Sequence, residues 1–434
     1  MRQIALRILD EYEAGGKYIN LALSSHVTDG LKSEEKAALT ALLYTTVERK
    51  LTYDYYICAL AGRSEDSIEP HTKNILRLGF CQLLDMTSVP DFAAVNETVK
   101  LARGNGERAF VNGILRTAAR NKDSLPMPDE NKKYTRFLSV KYSFPLPLVK
   151  HFDSLFGRED TEKLLNFYNT EKYTDVSVNG LKITPDEYLE LLKKTNTYAE
   201  KCTFLPSSIR ISASVNPERL PGFDKGLFFV QDRASAIASA VLDVREGEIM
   251  VDSCAAPGGK SFSAAILSSD KAQIHSFDLH ESKLSLIGGG ADRLGIKSIS
   301  VCARDALTPD ESLIGKADKV ACDVPCSGLG VLGKKPDLRY KDMDALTLLP
   351  PLQLDILKAS CKYLKVGGVL VYSTCTLNPA ENEEIVGAFL KENTDFEAVP
   401  FTLGELSAPE GMLTLLPHLH ATDGFFVAKI KKVR

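Results

Sequence analysis

No uninterrupted apolar run among the 434 residues approaches the ~18 that a membrane-spanning helix needs, and Asp10 and Glu11 stand where a secretory leader would be apolar. A cytoplasmic protein with no membrane partner is expected. Nine cysteines are too sparse in so long a chain for a disulfide scaffold, and no C-x-x-C pair stands opposite another or opposite an H-x-x-x-H element. The seven histidines show no ligand spacing with cysteine or carboxylate, so no metal is expected. A net charge of -4 argues against a uniformly basic coat for nucleic acid. Internal repeats and low-complexity tracts are missing as well.

What is present is an ordinary globular composition, 25% charged and 44% hydrophobic, in a chain long enough for several domains of ~100 to 200 residues each. Charge is unevenly spread. Residues 100–150 hold 11 Lys and Arg against 4 Asp and Glu, an excess that suits a phosphate backbone or a merely solvated surface.

Over residues 1–125 apolar positions recur at the helical period: Ile4, Ile8, Leu9 and Tyr12, then Leu39, Leu42, Leu43 and Val47, then Leu76, Phe80, Leu83 and Leu84. Stripes of this width bury a bundle core, so an all-α domain is expected. Pro126, Pro128, Pro145 and Pro147 bracket a basic stretch, 126–150, that reads as a linker because their missing amides disfavour continued helix. Residues 151–235 mix a helix around 161–168, a strand at 176–178 and a helix opening at Thr184-Pro185-Asp186-Glu187, which supplies a cap, a first-turn proline and first-turn acids. A small α+β subdomain is expected there.

From 236 to 434 strands alternate with helices, the rhythm of a parallel, Rossmann-like α/β sheet. Strands are predicted at 249–252, 274–278, 299–302, 319–323 and 369–373. A helix burying Leu354, Leu357, Cys361 and Leu364 separates the last two.

The chemistry concentrates in three stretches. In VDSCAAPGGKSF a buried strand runs into a glycine turn and a helix, where backbone approaches a ligand closely and helix-start amides favour an anion. Gly258 and Gly259 would otherwise make only a tight turn. That loop has neither the spacing of a phosphate-cradling NTPase loop nor that of a dinucleotide fold, which weakens ATPase and dehydrogenase readings. Asp278 ends the next strand and suits ribose hydroxyls, and Asp305 follows the third and suits an adenine amino group; either is also an ordinary cap.

The remaining stretches, ACDVPCSGLGV and VYSTCTLNPAENE, place Cys326 and Cys375 two or three residues beyond the fourth and fifth strands. If those strands are neighbours, ~4.8 Å apart, both thiols meet in one pocket. Cys58, Cys81, Cys202, Cys302, Cys322 and Cys361 read instead as small hydrophobes.

The strings APGGK, D-x-P-C-S-G, S-T-C-T and DGFFVAK resemble the RNA cytosine methyltransferase family named for the Sun, NOL and NOP proteins. LRLGFCQLLDM, VNETVKLAR and FVNGILR in the helical part resemble the antitermination factor NusB. Together they are similar to the branch of the family acting on 16S ribosomal RNA. The resemblance implies a NusB-like RNA-binding bundle, a small RNA-binding subdomain, and a catalytic domain that uses S-adenosyl-L-methionine. Cys375 would be the nucleophile and Cys326 the thiol that assists release. Cys254, Ala255, Ala256, Pro257, Gly258, Gly259 and Lys260, with Asp278, Asp305 and Asp323, would form the cofactor site. Asp323 would also face the cytosine, and Lys260 would favour the thiolate.

The implied partner is 16S ribosomal RNA, free or partly assembled, and the implied state a monomer. Three positions depart from the family pattern: Ser177 for a usual arginine, Tyr340 for a usual tryptophan, and Gly288-Gly289-Gly290 in a stretch otherwise helical. The glycines predict a broken or short helix. Two other readings stay open: the same chemistry on transfer RNA, and a non-catalytic RNA-binding assembly factor. A DNA cytosine methyltransferase is disfavoured because it needs no S-T-C-T thiol.

Overall fold

In the computed structural model, which describes every residue except 16–18, 20–22, 24–30, 171–172 and 213–214, the chain divides into two units. One comprises Met1–Asn169 with Lys334–Lys341, the other Thr170–Gly333 with Asp342–Arg434. No described helix is long and apolar enough to cross a membrane.

The helical stripes of the first unit become α1 (Arg2–Gly15), α2 (Ser33–Glu48), α3 (Lys50–Ala61), α4 (Pro70–Leu84), α5 (Asp91–Val99) and α6 (Asn105–Arg120). Ile8, Leu9, Leu39, Leu42, Leu43, Val47, Leu76, Phe80 and Leu83 are buried in one cluster, with Ile4, Tyr12 and Leu84 half-buried against it. Burial of each such side chain stabilises by roughly 1.5–3 kcal/mol. Arg77 lies within this core, its guanidinium forked onto Asp54 at 2.7 Å and 2.7 Å, so the buried charge is neutralised where it sits.

The stretch 126–150, expected as a linker, instead holds α7 (Tyr134–Tyr142) and the start of α8 (Leu146–Thr170). The prolines permit this. Pro126 and Pro128 precede α7, Pro145 precedes α8 and Pro147 lies in its first turn, where a missing amide costs no helical bond. The helix predicted around 161–168 is therefore the end of a longer one, kinked at Gly157 (φ 75°). Tyr340 also belongs to this unit, its hydroxyl donating to the Val47 carbonyl at 2.8 Å and Lys50 lying over its ring, so an aromatic is kept at the place of the usual tryptophan.

In the second unit, β1 (Thr174–Val178), β2 (Ala199–Lys201), β3 (Ser208–Ile211) and β4 (Phe228–Val230) form an antiparallel sheet in the order β2-β3-β1-β4. Helix α9 (Pro185–Lys194) packs on it through Tyr188 and Leu192. As its sequence predicts, Thr184 caps α9, with the Glu187 amide donating to its Oγ1 and its own amide donating to Glu187. Ser177 points inward and donates to Gln231 at 2.7 Å.

The larger sheet contains β5 (Ile249–Asp252), β6 (Gln273–Asp278), β7 (Ile299–Ala303), β8 (Ala317–Asp323), β9 (Leu364–Thr374), β10 (Phe396–Ala398) and β14 (Phe425–Lys432), ordered β10-β14-β9-β8-β5-β6-β7, with β13 (Met412–Leu415) also on β14. A two-stranded ribbon of β11 (Phe401–Leu403) and β12 (Leu406–Ala408) stands beside it. Strands β5 to β9 are parallel, but β14 runs antiparallel to β9, so the sheet is mixed and not wholly parallel as expected. The motif DGFFVAK is the start of that antiparallel strand.

Helix α10 (Arg233–Leu242) precedes β5, α11 (Gly259–Leu267) follows it, and α12 (Glu281–Leu294) follows β6. Between β8 and β9 runs α13 (Leu349–Cys361), whose buried residues are Gln353, Ile356, Leu357, Ala359, Ser360 and Cys361, with Leu354 half-buried against the same core; Leu364 opens the next strand instead of lying on the helix. Cys81, Cys202, Cys322 and Cys361 are buried, but Cys302 is exposed because β7 is the edge of the sheet.

The triple glycine does not break α12, which runs unbroken through it. Packing explains one of the three. A Cβ on Gly290 would lie 2.4 Å from Cζ of Phe262, whereas Gly288 and Gly289 have open space. Gly289→Ala is therefore expected to raise unfolding stability by about 1 kcal/mol, and Gly290→Ala to lower it by roughly 1–3 kcal/mol. Urea titration of both variants checks the pair, and equal effects would contradict it.

Candidate active site

In an open α/β sheet the ligand crevice lies beyond the carboxyl ends of strands, where the strand order reverses. Here the chain winds from β5 outward through β6 and β7, then returns to β8 on the other side of β5 and continues to β9. The reversal lies between β5 and β8. Both cysteine loops and the glycine turn leave the sheet at that end.

The turn is pinned from both sides. The Ser253 amide donates to Ala321 on β8 at 3.0 Å, and the Ala255 amide to Phe277 on β6 at 2.7 Å. Cys254 is half-buried, Ala255 is buried, Ala256 is half-buried and Pro257 is exposed at the tip. Gly258 has φ +111°, and a Cβ there would strike Phe262 at 2.4 Å, so this position takes glycine on two counts. Helix α11 then begins at Gly259 with no side-chain cap, leaving helix-start amides for an anion.

Asp278 reaches back to this turn, accepting from the Ala256 amide at 3.2 Å and from the His280 amide at 3.0 Å. Asp305 stands apart. It is exposed and its carboxylate accepts from the Leu307 amide at 2.9 Å, while the neighbouring Arg304 amide donates to the Asp278 carbonyl.

On the other side, β8 and β9 pair in parallel with Asp323 opposite Ser373. Ser373 donates to one Asp323 oxygen at 2.7 Å and Lys260 to the other at 2.6 Å; Lys260 also donates to Ser235 at 3.2 Å. The Lys260 ammonium lies 5.6 Å from the Phe425 ring. Cys375 follows β9 directly instead of after two residues, and Cys326 follows β8 by three. Their sulfurs are 3.2 Å apart.

The hydrogen bond with Cys375 and then burial push the Cys326 thiol well up, with the charges of Glu381 and Asp323 adding to the effect. Burial likewise pushes up Cys254. Such an arrangement supplies one sulfur that keeps its proton and a second beside it to act on an electrophile.

Known proteins match this layout along the chain. Residues 239–431 match the family described as 16S rRNA methyltransferase RsmB/F, residues 1–120 the NusB family, and residues 144–218 the RsmF/B-like ferredoxin-like domain. The probable ribosomal RNA small subunit methyltransferase B of Synechocystis is 35% identical over 99% of both chains. That of Bacillus subtilis is 33% identical over 100% of this chain and 98% of its own. The chain belongs to the ribosomal RNA small subunit methyltransferase B family. The solved structure of PH0851 shares its fold, with a TM-score of 0.80 at 27% identity, over 99% of this chain and 97% of that one.

In this member of the methyltransferase B family, sequence reading misses four contributors to the site. Ser235 holds Lys260 but, as a lone serine, carries no motif signal, whereas Ser373, which orients Asp323, is legible only as the first letter of S-T-C-T. Gly330 and Gly424 let the Cys326 loop cross the start of β14: a Cβ on Gly330 would lie 1.8 Å from the Gly424 carbonyl. Both are legible only as glycines inside SGLG and DGFF.

Beneath the glycine turn, Asp252 is completely buried. Its Oδ2 accepts from Ser261 at 2.7 Å. Burial raises its pKa from 3.8 to about 6. An acid raised in the folded state binds its proton more tightly there than when unfolded, so its contribution is complete below 3.8 and is lost as pH rises through about 6. Between pH 4 and 7 the wild type should lose up to about 3 kcal/mol more unfolding stability than Asp252→Asn. Denaturant curves at both pH values measure the difference; identical pH dependence would refute it.

Proposed function

We propose that the protein transfers the methyl group of S-adenosyl-L-methionine to carbon 5 of a cytosine in 16S ribosomal RNA, with Cys375 as covalent nucleophile. The observation that carries this reading is the 3.2 Å approach of two thiols from neighbouring strands, beside the Lys260–Asp323 pair. The relatives' names, all ribosomal RNA small subunit methyltransferase B, support the substrate class.

The residues fit the cofactor. The uncapped start of α11 suits its carboxylate, and a carboxylate has about four acceptor sites, so Asp278 retains capacity for ribose hydroxyls beyond its two amide bonds. Asp305 is exposed for the adenine amino group. When bound, the cofactor supplies an electrophilic methyl group to carbon 5.

The chain's own residues make carbon 5 able to receive it. Attack of the Cys375 thiolate forms a bond to carbon 6 and shifts the C5–C6 π electrons toward N3, leaving an enamine. Asp323, held at both oxygens by Lys260 and Ser373, accepts a hydrogen bond from the amino group without reorganising, and the Lys260 ammonium beside it offsets the charge that develops at N3. Loss of the carbon 5 proton to solvent water then restores the double bond and expels Cys375 as a thiolate. The Cys326 S–H stands 3.2 Å away to donate to that departing sulfur. The target cytosine must leave any stack it occupies, at ~a few kcal/mol, unless already single-stranded. A non-catalytic binding role would leave the thiol pair and its supports without a purpose.

Tritiated methyl transfer to 16S ribosomal RNA tests the reading. Cys375→Ala should abolish transfer while the protein stays folded, and Cys326→Ala should accumulate a protein–RNA adduct that survives denaturing electrophoresis. Full turnover by Cys375→Ala would overturn the assignment.

A further inference from the structure

Glu381 lies just past the Cys375 loop, in the short turn Pro379–Glu381, and is completely buried. Its Oε2 accepts from the Ser327 amide at 2.8 Å and from Gln353 Nε2 at 2.9 Å, and its Oε1 from Asn378 Nδ2 at 3.0 Å. None of these donors carries charge. A carboxylate taken fully from water and surrounded by neutral donors is costly for a purely structural role.

The neighbours of both thiols converge on this residue. Gln353 also donates to the Pro325 carbonyl at 2.9 Å, so the residues on either side of Cys326, Pro325 and Ser327, are tied to the Glu381–Gln353 pair. On the Cys375 side, Tyr372 of β9 donates to the Glu381 carbonyl at 2.7 Å. Asn382, next in the chain, accepts from Thr374 at 2.6 Å and donates to the Thr376 carbonyl at 3.0 Å, bracketing Cys375. Ser327 and Thr376 close the frame with a hydroxyl pair at 2.6 Å.

We infer that Glu381 is the positioning residue of the two-thiol site, locking the Cys326 loop to the Cys375 loop. The inference rests on the covalent methylation reading above. Glu381 touches neither substrate nor cofactor and acts through Ser327, Gln353 and Asn378. Its charge is among the influences that push the Cys326 thiol up, after the bond to Cys375 and burial.

The test uses the full chain, 16S ribosomal RNA and tritiated S-adenosyl-L-methionine, with Glu381→Gln, Gln353→Ala and Cys326→Ala in parallel. Glu381→Gln keeps the side chain's shape and removes its charge. It should lower kcat by about 100-fold, the scale of a misplacement of ~1 Å, with KM for the cofactor and thermal midpoint little changed. It should also accumulate the denaturation-resistant adduct seen with Cys326→Ala, and move the limb of the pH–rate profile that reports Cys326 to lower pH. Gln353→Ala should show the same adduct with a smaller rate loss, and decides the matter should Glu381→Gln fail to fold.

A normal kcat and pH profile, or a rate loss without adduct while Cys326→Ala does accumulate it, would overturn the role of Glu381 and leave the methylation reading standing. Absence of adduct in Cys326→Ala together with turnover by Cys375→Ala would instead overturn the methylation reading.

Discussion

Parallel pairing of β8 with β9 is the constraint from which the site is built. In register, Asp323 faces Ser373, so the two chains leave the sheet side by side and at the same height. Cys375 emerges directly from its strand and Cys326 after a short detour through Val324 and Pro325, which lets the two sulfurs approach to 3.2 Å. A one-residue slip would send alternate side chains to the opposite face and separate Asp323 from the serine that orients it.

Around this pair the protein uses small residues and buried charge for different ends. Phe262 is gripped between Gly258 and Gly290, either of which would collide with it if it carried a Cβ. That grip ties the glycine turn to α12, so the start of α11 is held against the sheet. Gly330 and Gly424 do the same for the thiol loop and β14. Charge is placed sparingly: Lys260 neutralises Asp323 at the open edge, whereas Asp252 and Glu381 are buried among neutral donors on either side of it. The site is thus polar at its open edge and tightly packed behind it.

Most of this layout was legible because the signals were local. Strand β5 and the capped start of α9 fall where apolar runs and turn chemistry put them, and the thiols emerge beside each other because parallel strands share an exit edge. The antiparallel course of β14 was not legible, since its apolar run carries no sign of direction. Helix α7 was hidden because prolines outside its ends look, in one dimension, like prolines within it. The unbroken α12 shows tertiary packing overriding a weak helix propensity at Gly288, Gly289 and Gly290. Glu381 was visible as a letter in AENE but not as a clamp, because its partners Ser327 and Gln353 are both more than two dozen residues away in the chain and meet it only in the folded state.

The account stands on Cys375 being the sulfur that bonds carbon 6. Ribosomal RNA containing 5-fluorocytosine cannot lose the substituent from carbon 5, so it should trap the protein in the presence of S-adenosyl-L-methionine. Mass spectrometry of the digested adduct should place the nucleotide on the peptide containing Cys375, with Cys326 unmodified. A nucleotide on Cys326, or methyl transfer to the natural substrate with no adduct at either cysteine, would contradict it.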